Sequence, residues 1–254
     1  MKGRRDMGSY DLLEGDCLKL LADVPSRSVN MILCDLPYGT TQNKWDTIIP
    51  LEPLWAEYRR VCKDDAAIVL TAQSMFTAML MVCARDIYRY SLIWEKTKAG
   101  GFLNAKRMPL QAHEDICVFY RKLPTYNPQM VEGKPYVKKA VSDGDGKNYG
   151  KFTRAGSVAV NEGVRYPRSV LRFPNDNHGS VHPTQKPVAL MEYLIRTYTN
   201  AGDVVLDNCM GSGTTGVACA NTARKFIGME QDPAYFDVAC ERVVSAYANS
   251  LEGL

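Results

Sequence analysis

The sequence predicts an open α/β fold, a mostly parallel sheet with helices on both faces, and three observations carry that expectation. Short, nearly continuous apolar runs recur at Val29 to Cys34, Ala66 to Thr71, Tyr90 to Trp94, Asp115 to Tyr120, Asp203 to Leu206 and Lys225 to Met229. Runs this short that stay apolar on both faces read as strands buried in a parallel sheet. Between them, apolar residues return at three- and four-residue spacing, the period of a helix packed on one side. The 254 residues are 46% hydrophobic and 23% charged, enough apolar material for one sizeable core and too much for a disordered chain.

In chain order, the first strong strand, VNMILC, runs directly into Asp35-Leu36-Pro37-Tyr38-Gly39. A helix is expected over Leu51, Leu54, Trp55, Tyr58 and Val61, with Pro53 in its first turn, where a missing N–H costs nothing. Met75, Phe76, Met79, Leu80 and Cys83 form the apolar face of a second helix. Val188, Met191, Leu194, Ile195 and Tyr198 behind Pro187 form a third, and Phe236, Ala239, Cys240, Val243 and Tyr247 a last one. The stretch Pro124 to Phe173 breaks this alternation. It is rich in Gly, Pro, Lys, Arg and Tyr, contains the turn-like SDGDGKNYG, and reads as a loop-rich insert.

Charge is divided unevenly behind a net +3: residues 96–172 hold 15 Lys/Arg against 6 Asp/Glu, and the remainder holds 16 against 22. A basic segment inside an acidic body suits a polyanion such as nucleic acid, although a solvated basic face has the same composition. The eight cysteines are scattered, several within apolar runs, and neither a CxxC pair nor a Cys/His spacing suggests a metal site. Free thiols in a reducing cytoplasm are expected. No apolar stretch approaches the roughly 20 residues of a membrane helix, and the start MKGRRDMGSYDLL has no apolar run behind its basic residues. The three histidines, His113, His178 and His182, lie apart, and none is assigned to catalysis.

The late strand DVVLD ends at Asp207 and opens into NCMGSGTTG, which sets Gly211, Gly213 and Gly216 between a strand and a helix. Glycines there let a nucleotide-like ligand approach backbone that a side chain would shield. The following strand KFIGM ends in Glu230, about 20 residues on, where a carboxylate can accept from both ribose hydroxyls. An adenosine-bearing cofactor is favoured. A Walker loop is excluded, since no lysine follows the last glycine. A dinucleotide remains the alternative, with its pyrophosphate at the helix N-terminus. Asp207 tilts against it, because a carboxylate suits a cofactor with a cationic amino-acid end.

Asp, Pro and Tyr at the carboxyl end of a buried strand sit where open α/β sheets place ligands. With the DLPY tetrapeptide first, the basic insert next and the glycine loop last, the chain resembles the permuted β class of amino-group DNA methyltransferases, of phage or restriction-modification type. Leu36 stands where that family usually has its first proline and offers the same backbone carbonyl. Asn208-Cys209 replaces the usual Pro-Phe. The segments Trp94 to Lys122 and His182-Pro183-Thr184-Gln185-Lys186-Pro187 are also similar to the family.

The resemblance implies a circularly permuted, seven-stranded, doubly wound methyltransferase sheet ordered 3-2-1-4-5-7-6, so that the glycine-loop and DLPY strands are neighbours. It divides the chain into a catalytic half, residues 1–123, a target-recognition insert, 124–176, and a cofactor half, 177–254. S-adenosyl-L-methionine is the implied cofactor, held by Asp16, Cys17, Asp35, Thr184, Lys186, Asp207, Gly211, Ser212, Gly213, Thr214 and Glu230. The implied activity is methyl transfer to the exocyclic N6 amine of an adenine flipped out of double-stranded DNA. Asp35 and the Leu36 carbonyl would accept from the amine, Pro37 shape the turn, and Tyr38 stack on the base. Gly39 to Asp46 is a candidate lid, with Trp45 either on the base or packed at the surface. Lys138, Lys139, Lys147, Lys151 and Arg154 are expected to hold the DNA backbone, no metal is expected, and homodimers are implied by the family alone. N4-cytosine, RNA or a glutamine amide as target, a dinucleotide oxidoreductase and a noncatalytic DNA-binding relic stay open as alternatives.

Overall fold

The computed structural model describes residues 3–39, 46–139, 144–146, 150–152, 156–175 and 185–252. The chain forms two compact units, Met1–Asn127 with Ser169–Leu254, and Pro128–Arg168. In the first, the strands are β1 (Arg4–Asp6), β2 (Tyr10–Glu14), β3 (Val29–Cys34), β4 (Cys62–Ala72), β5 (Tyr88–Gly100) and β6 (Gln111–Phe119). The second unit carries β7 (Val131–Glu132), β8 (Tyr136–Lys139), β9 (Gly144–Gly146), β10 (Gly150–Phe152), β11 (Val158–Asn161) and β12 (Val164–Arg165). The first unit resumes with β13 (Val170–Phe173), β14 (Val204–Asp207) and β15 (Lys225–Glu230). Its helices are α1 (Cys17–Leu21), α2 (Leu51–Val61), α3 (Ser74–Cys83), α4 (Val188–Tyr198), α5 (Thr214–Asn221) and α6 (Pro233–Glu252).

One sheet, ordered β1-β2-β15-β14-β3-β4-β6-β5-β13, organises the first unit. It has nine strands where seven were expected. The inner seven follow the expected order, and β1 and β13 are added at the two edges. Most pairings are parallel. Strand β6 runs antiparallel to both of its neighbours.

Successive residues of the central strands face opposite sides, as the strand period requires. Met31, Leu33 and Val205 enter one core with α4, α5 and α6. Ile32, Cys34 and Leu206 enter a second core with α1, α2 and α3. The sheet is therefore doubly wound, and the reason lies in strands that carry apolar side chains on both faces.

The glycine-loop strand β14 pairs in parallel with β3, Val205 opposite Met31 and Leu206 opposite Ile32. The chain leaves β14 toward helices on one face and leaves β3 toward helices on the other. A crevice must open at their carboxyl ends, and open α/β sheets bind ligands at such switch points.

Some boundaries and faces depart from expectation. The separately packed unit, Pro128–Arg168, lies inside both the Pro124 to Phe173 stretch drawn from composition and the 124–176 insert implied by the resemblance. Residues 170–173 instead pair with β5, with Leu171 buried. The second unit, read as a loop-rich insert, is built of short antiparallel pairs, β8 with β11, β7 with β12 and β9 with β10. On α3, Phe76, Thr77 and Leu80 are buried, while Met75 and Cys83 face solvent. The run SMFTAMLMVC is apolar all round, so its period left the buried face open. Strand β2 was not anticipated. Its Tyr10, Leu12 and Leu13 are buried beside β15. No helix among the described residues is long and apolar enough to cross a membrane.

Candidate active site at the carboxyl ends of β3 and β14

A cavity of about 1080 Å³ opens at this crevice. Its volume sits at the upper end of the range for small-molecule sites. One half is built by Gly15 to Leu18, Asp207 to Ser212, Thr214, Thr215 and Glu230 to Pro233, and the other by Asp35 to Tyr38, Trp94, Lys96, Glu114 and Lys186.

Local chemistry fixes the first half. The Asp207 carboxylate is buried and accepts from the Cys209 N–H at 3.0 Å and the Thr215 hydroxyl at 2.6 Å, folding the loop back onto the strand that supports it. Burial pushes its pKa up to about 6, against the opposing pull of those hydrogen bonds. Gly211 and Gly213 take positive φ of 53° and 81°, a region that only glycine enters without strain. A Cβ on Gly213 would lie 2.9 Å from Val243 and 3.1 Å from the Ala239 backbone, so this turn also needs the missing side chain for packing. Thr214 follows as the buried first residue of α5. Ser212 donates to the Gln185 side chain at 3.2 Å, and Arg242 donates to the Ser212 hydroxyl at 2.8 Å.

Glu230 ends β15 with one carboxylate oxygen accepting from Gly211 N–H at 2.9 Å and the other from Asp232 N–H at 2.8 Å. Burial raises its pKa. Across from it, Asp16 caps α1 by accepting from Leu18 N–H at 2.9 Å. The Gly15 N–H donates to the Glu230 carbonyl at 2.8 Å, tying the two rims together. Cys17 is buried beneath them, its thiol pushed up chiefly by a hydrogen bond with Cys209 and then by burial. Asn208, in the place of the family's usual proline, accepts from the Tyr58 hydroxyl of α2 at 2.5 Å, which accounts for the altered pair in the loop.

This half contains Asp16, Asp207, Glu230 and Asp232, and no lysine or arginine among its described lining residues. A pyrophosphate would meet carboxylates there with no cation to offset them. A cofactor with a cationic end and ribose hydroxyls fits this acidic half better than a dinucleotide does.

In the second half, the Asp35 carboxylate is the hub. Oδ2 lies 2.6 Å from Lys186 Nζ, and Oδ1 accepts from the Tyr38 hydroxyl at 2.6 Å and from the Thr71 hydroxyl of β4. Lys186 is 7% exposed and also faces Glu114 at 3.3 Å. Burial by itself drives its pKa down, and the two carboxylates outweigh that effect and leave it raised. The Tyr38 ring packs against Phe76 at 5.3 Å, and burial together with Asp35 keeps its phenol protonated. Leu36 is buried at 3% exposure, its side chain anchoring the turn. Pro37 and Gly39 complete it, with Gly39 N–H donating to Asp46 at 2.8 Å.

The fold brings Asp16, Cys17, Asp35, Leu36, Pro37, Tyr38, Lys186, Asp207, Gly211, Ser212, Thr214 and Glu230, all expected at a site, to one cavity. Lys186, expected on the cofactor, lines the cavity and meets Asp35 at 2.6 Å. Thr184, Lys147, Arg154, Trp45, His178 and His182 lie outside the described residues. Lys138 and Lys139 end β8 and are exposed, and Lys151 lies in β10. Only 8 of the 15 basic residues counted between 96 and 172 fall within Pro128–Arg168. Thr71, Lys96 and Glu114 were missed, since nothing local marks a residue whose partner comes from another segment of the chain, as Asp35 does for Thr71, Glu114 for Lys96 and Lys186 for Glu114. Among the described residues no cluster suited to a metal occurs.

An open α/β sheet with an acidic glycine loop beside an Asp-x-Pro-Tyr turn defines a class: enzymes that bring an adenosine-type cofactor against a polar acceptor. The chain belongs to the family described as DNA methylase of the N6/N4 type, which matches residues 29–241. The DNA adenine methyltransferase YhdJ of Escherichia coli (strain K12) is 27% identical over 261 residues, covering 96% of this chain and 85% of that protein. Among solved structures, the M1.HpyAVI–SAM complex shares 24% identity with a TM-score of 0.63, covering 92% of this chain and 99% of that one. The PvuII DNA methyltransferase, described as cytosine-N4-specific, shares 16% identity with a TM-score of 0.68, covering 98% and 94%. These two likenesses establish the fold.

Proposed function

We propose that the protein transfers the methyl group of S-adenosyl-L-methionine to the N6 amine of an adenine in double-stranded DNA. The observation that carries this reading is the cavity itself: an acidic, cation-free half built on the glycine loop opens directly onto the Asp35 and Leu36 acceptors. The cofactor, when bound, supplies an electrophilic methyl on a positively charged sulfur, so the protein's task is alignment and electrostatics. Asp16, Cys17, Asp207, Gly211, Ser212, Gly213, Thr214 and Glu230 are the residues proposed to hold it, with Thr184 assigned to the same group by resemblance alone.

The amine of adenine is a weak nucleophile because its lone pair is delocalised into the ring. Acceptors on its two N–H bonds, the Asp35 carboxylate and the Leu36 carbonyl, favour the pyramidal geometry that attacks carbon. In the base-free protein Asp35 Oδ1 is taken by Tyr38 and Thr71. An arriving amine must displace one of them, and Tyr38, released from Asp35, is free to stack on the base. Stacking contributes roughly 1–3 kcal/mol, which offsets part of the few kcal/mol that base flipping costs.

The unit Pro128–Arg168 is proposed as the target-recognition element, with Lys138, Lys139, Lys147, Lys151 and Arg154 on DNA phosphates. Eight unpaired cysteines suit a reducing cytoplasm as the place of action. The test is incubation with labelled cofactor and duplex DNA, followed by nucleoside analysis. N6-methyladenine supports the reading, N4-methylcytosine moves it to the alternative base, and label in neither defeats it.

A further inference from the structure

The segment Trp94 to Lys122 has no task in the reading so far, yet it delivers two charged side chains to the cavity wall. Lys96 on β5 and Glu114 on β6 come from antiparallel neighbours in which Trp94 pairs with Glu114. Lys96 Nζ lies 2.6 Å from Glu114 Oε1 and 5.3 Å from the centre of the Trp94 ring. Glu114 is 6% exposed. Its other oxygen, Oε2, faces Lys186 Nζ at 3.3 Å but makes no hydrogen bond. Lys186 in turn meets Asp35 at 2.6 Å. Four charges thus alternate in sign across the wall, Lys96, Glu114, Lys186 and Asp35, with a formal sum of zero.

A buried carboxylate oxygen without a hydrogen bond is costly and calls for a reason. Glu114 is the second carboxylate on an ammonium that Asp35 already meets at 2.6 Å. We propose that Glu114 is a positioning residue for methyl transfer, holding the Lys186 ammonium toward itself so that Lys186 engages only Oδ2 of Asp35 and leaves the Oδ1 edge for the target amine. Lys96 keeps Glu114 in place. This rests on the proposed function and adds residues to it. Without Glu114, Lys186 closes fully onto Asp35 and competes with the amine.

The groups facing Lys186 are Asp35 at the end of β3, Glu114 on β6 and the Tyr38 ring at 5.7 Å. Lys96 lies beyond Glu114, and Asp207 lies at the end of β14 across the same cavity. Burial pushes the Lys186 ammonium toward deprotonation, and Glu114 is one of two carboxylates opposing it. Removing Glu114 therefore lowers the pH at which Lys186 loses its proton.

The experiment compares the whole protein with Glu114→Gln, Glu114→Asp and Lys96→Met, in single turnovers at saturating S-adenosylmethionine and duplex DNA from about pH 6 to about pH 11, a range that reaches the lysine limb. Glu114→Gln is expected to lose rate by roughly 10- to 100-fold and to shift the alkaline limb of the profile about one unit lower or more. Cofactor and DNA dissociation constants should stay within about threefold. Glu114→Asp should recover most of the rate and the limb, and Lys96→Met, which loosens Glu114 but removes a positive charge from the wall, should lose some rate without moving the limb lower. A wild-type rate and limb in Glu114→Gln overturn the inference and leave the proposed function standing. So does a loss of rate with an unmoved limb that Glu114→Asp does not rescue, since that marks a merely structural role. If Glu114→Gln does not fold, Lys96→Met decides, and its wild-type behaviour overturns the inference. A wild-type protein that transfers no methyl group overturns the proposed function first and this inference with it.

Discussion

Replacing Asp35 with Ala removes the acceptor around which the second half of the cavity is arranged, and its cost can be worked from the contacts. A charge-assisted hydrogen bond contributes about 1.5–3 kcal/mol. Each 1.36 kcal/mol is tenfold in rate, so losing the bond to the target amine alone slows transfer roughly 10- to 150-fold. Asp35 also accepts from Lys186, Tyr38 and Thr71. Its removal leaves three donors around an empty position and frees the buried Lys186 ammonium to turn to Glu114, so alignment suffers too. The total expected is roughly 100- to 10,000-fold, the range for loss of a positioned acid–base group. Asp35→Asn keeps the shape and one acceptor but not the charge on Lys186, and should fall between. The assay is a single turnover at saturating cofactor, following labelled methyl into duplex DNA, with DNA affinity measured alongside and expected to survive. Transfer by Asp35→Ala within threefold of wild type would falsify the assignment of the DLPY turn as the catalytic centre.

Three further expectations concern cofactor, pH and DNA. Glu230→Ala frees the Gly211 and Asp232 N–H groups and should weaken S-adenosylmethionine binding by about tenfold or more by calorimetry; an unchanged dissociation constant would place the ribose elsewhere. Asp207 is held up at about 6 from an ordinary 3.8 by burial, so the folded state keeps a proton that the unfolded chain releases between those values. Its contribution to stability therefore falls as pH rises from about 4 to 6 and stays lowered above, by up to about 3 kcal/mol. The difference in urea midpoint between wild type and Asp207→Asn should move accordingly, and a pH-independent difference would refute the shift. Neutralising Lys138, Lys139, Lys147, Lys151 and Arg154 together should weaken binding to all DNA sequences and flatten its salt dependence. Retention of affinity and slope would remove the insert from the DNA interface.

Much of the fold and of the site was legible because it is written in local patterns. Strands with apolar residues on both faces, such as Val29–Cys34 with Asn30 as its one polar residue, read as buried on both sides, and that called for helices on both sides of a parallel sheet. The glycines at 211 and 213 and the DLPY turn mark backbone that must bend where strands end, so the two halves of the cavity could be named before their contact was seen. Tertiary structure decided what depends on partners distant in sequence. It set Val170–Phe173 at the sheet edge because Leu171 finds a core there. It chose Phe76 and Leu80 over Met75 as the buried face of α3, since an all-apolar helix has no preferred side until something packs on it. It also gave Lys186 to Asp35 across 151 positions and placed Glu114 behind it. Charge pairing in a low-dielectric wall depends on distance and burial, and no spacing along the chain encodes either.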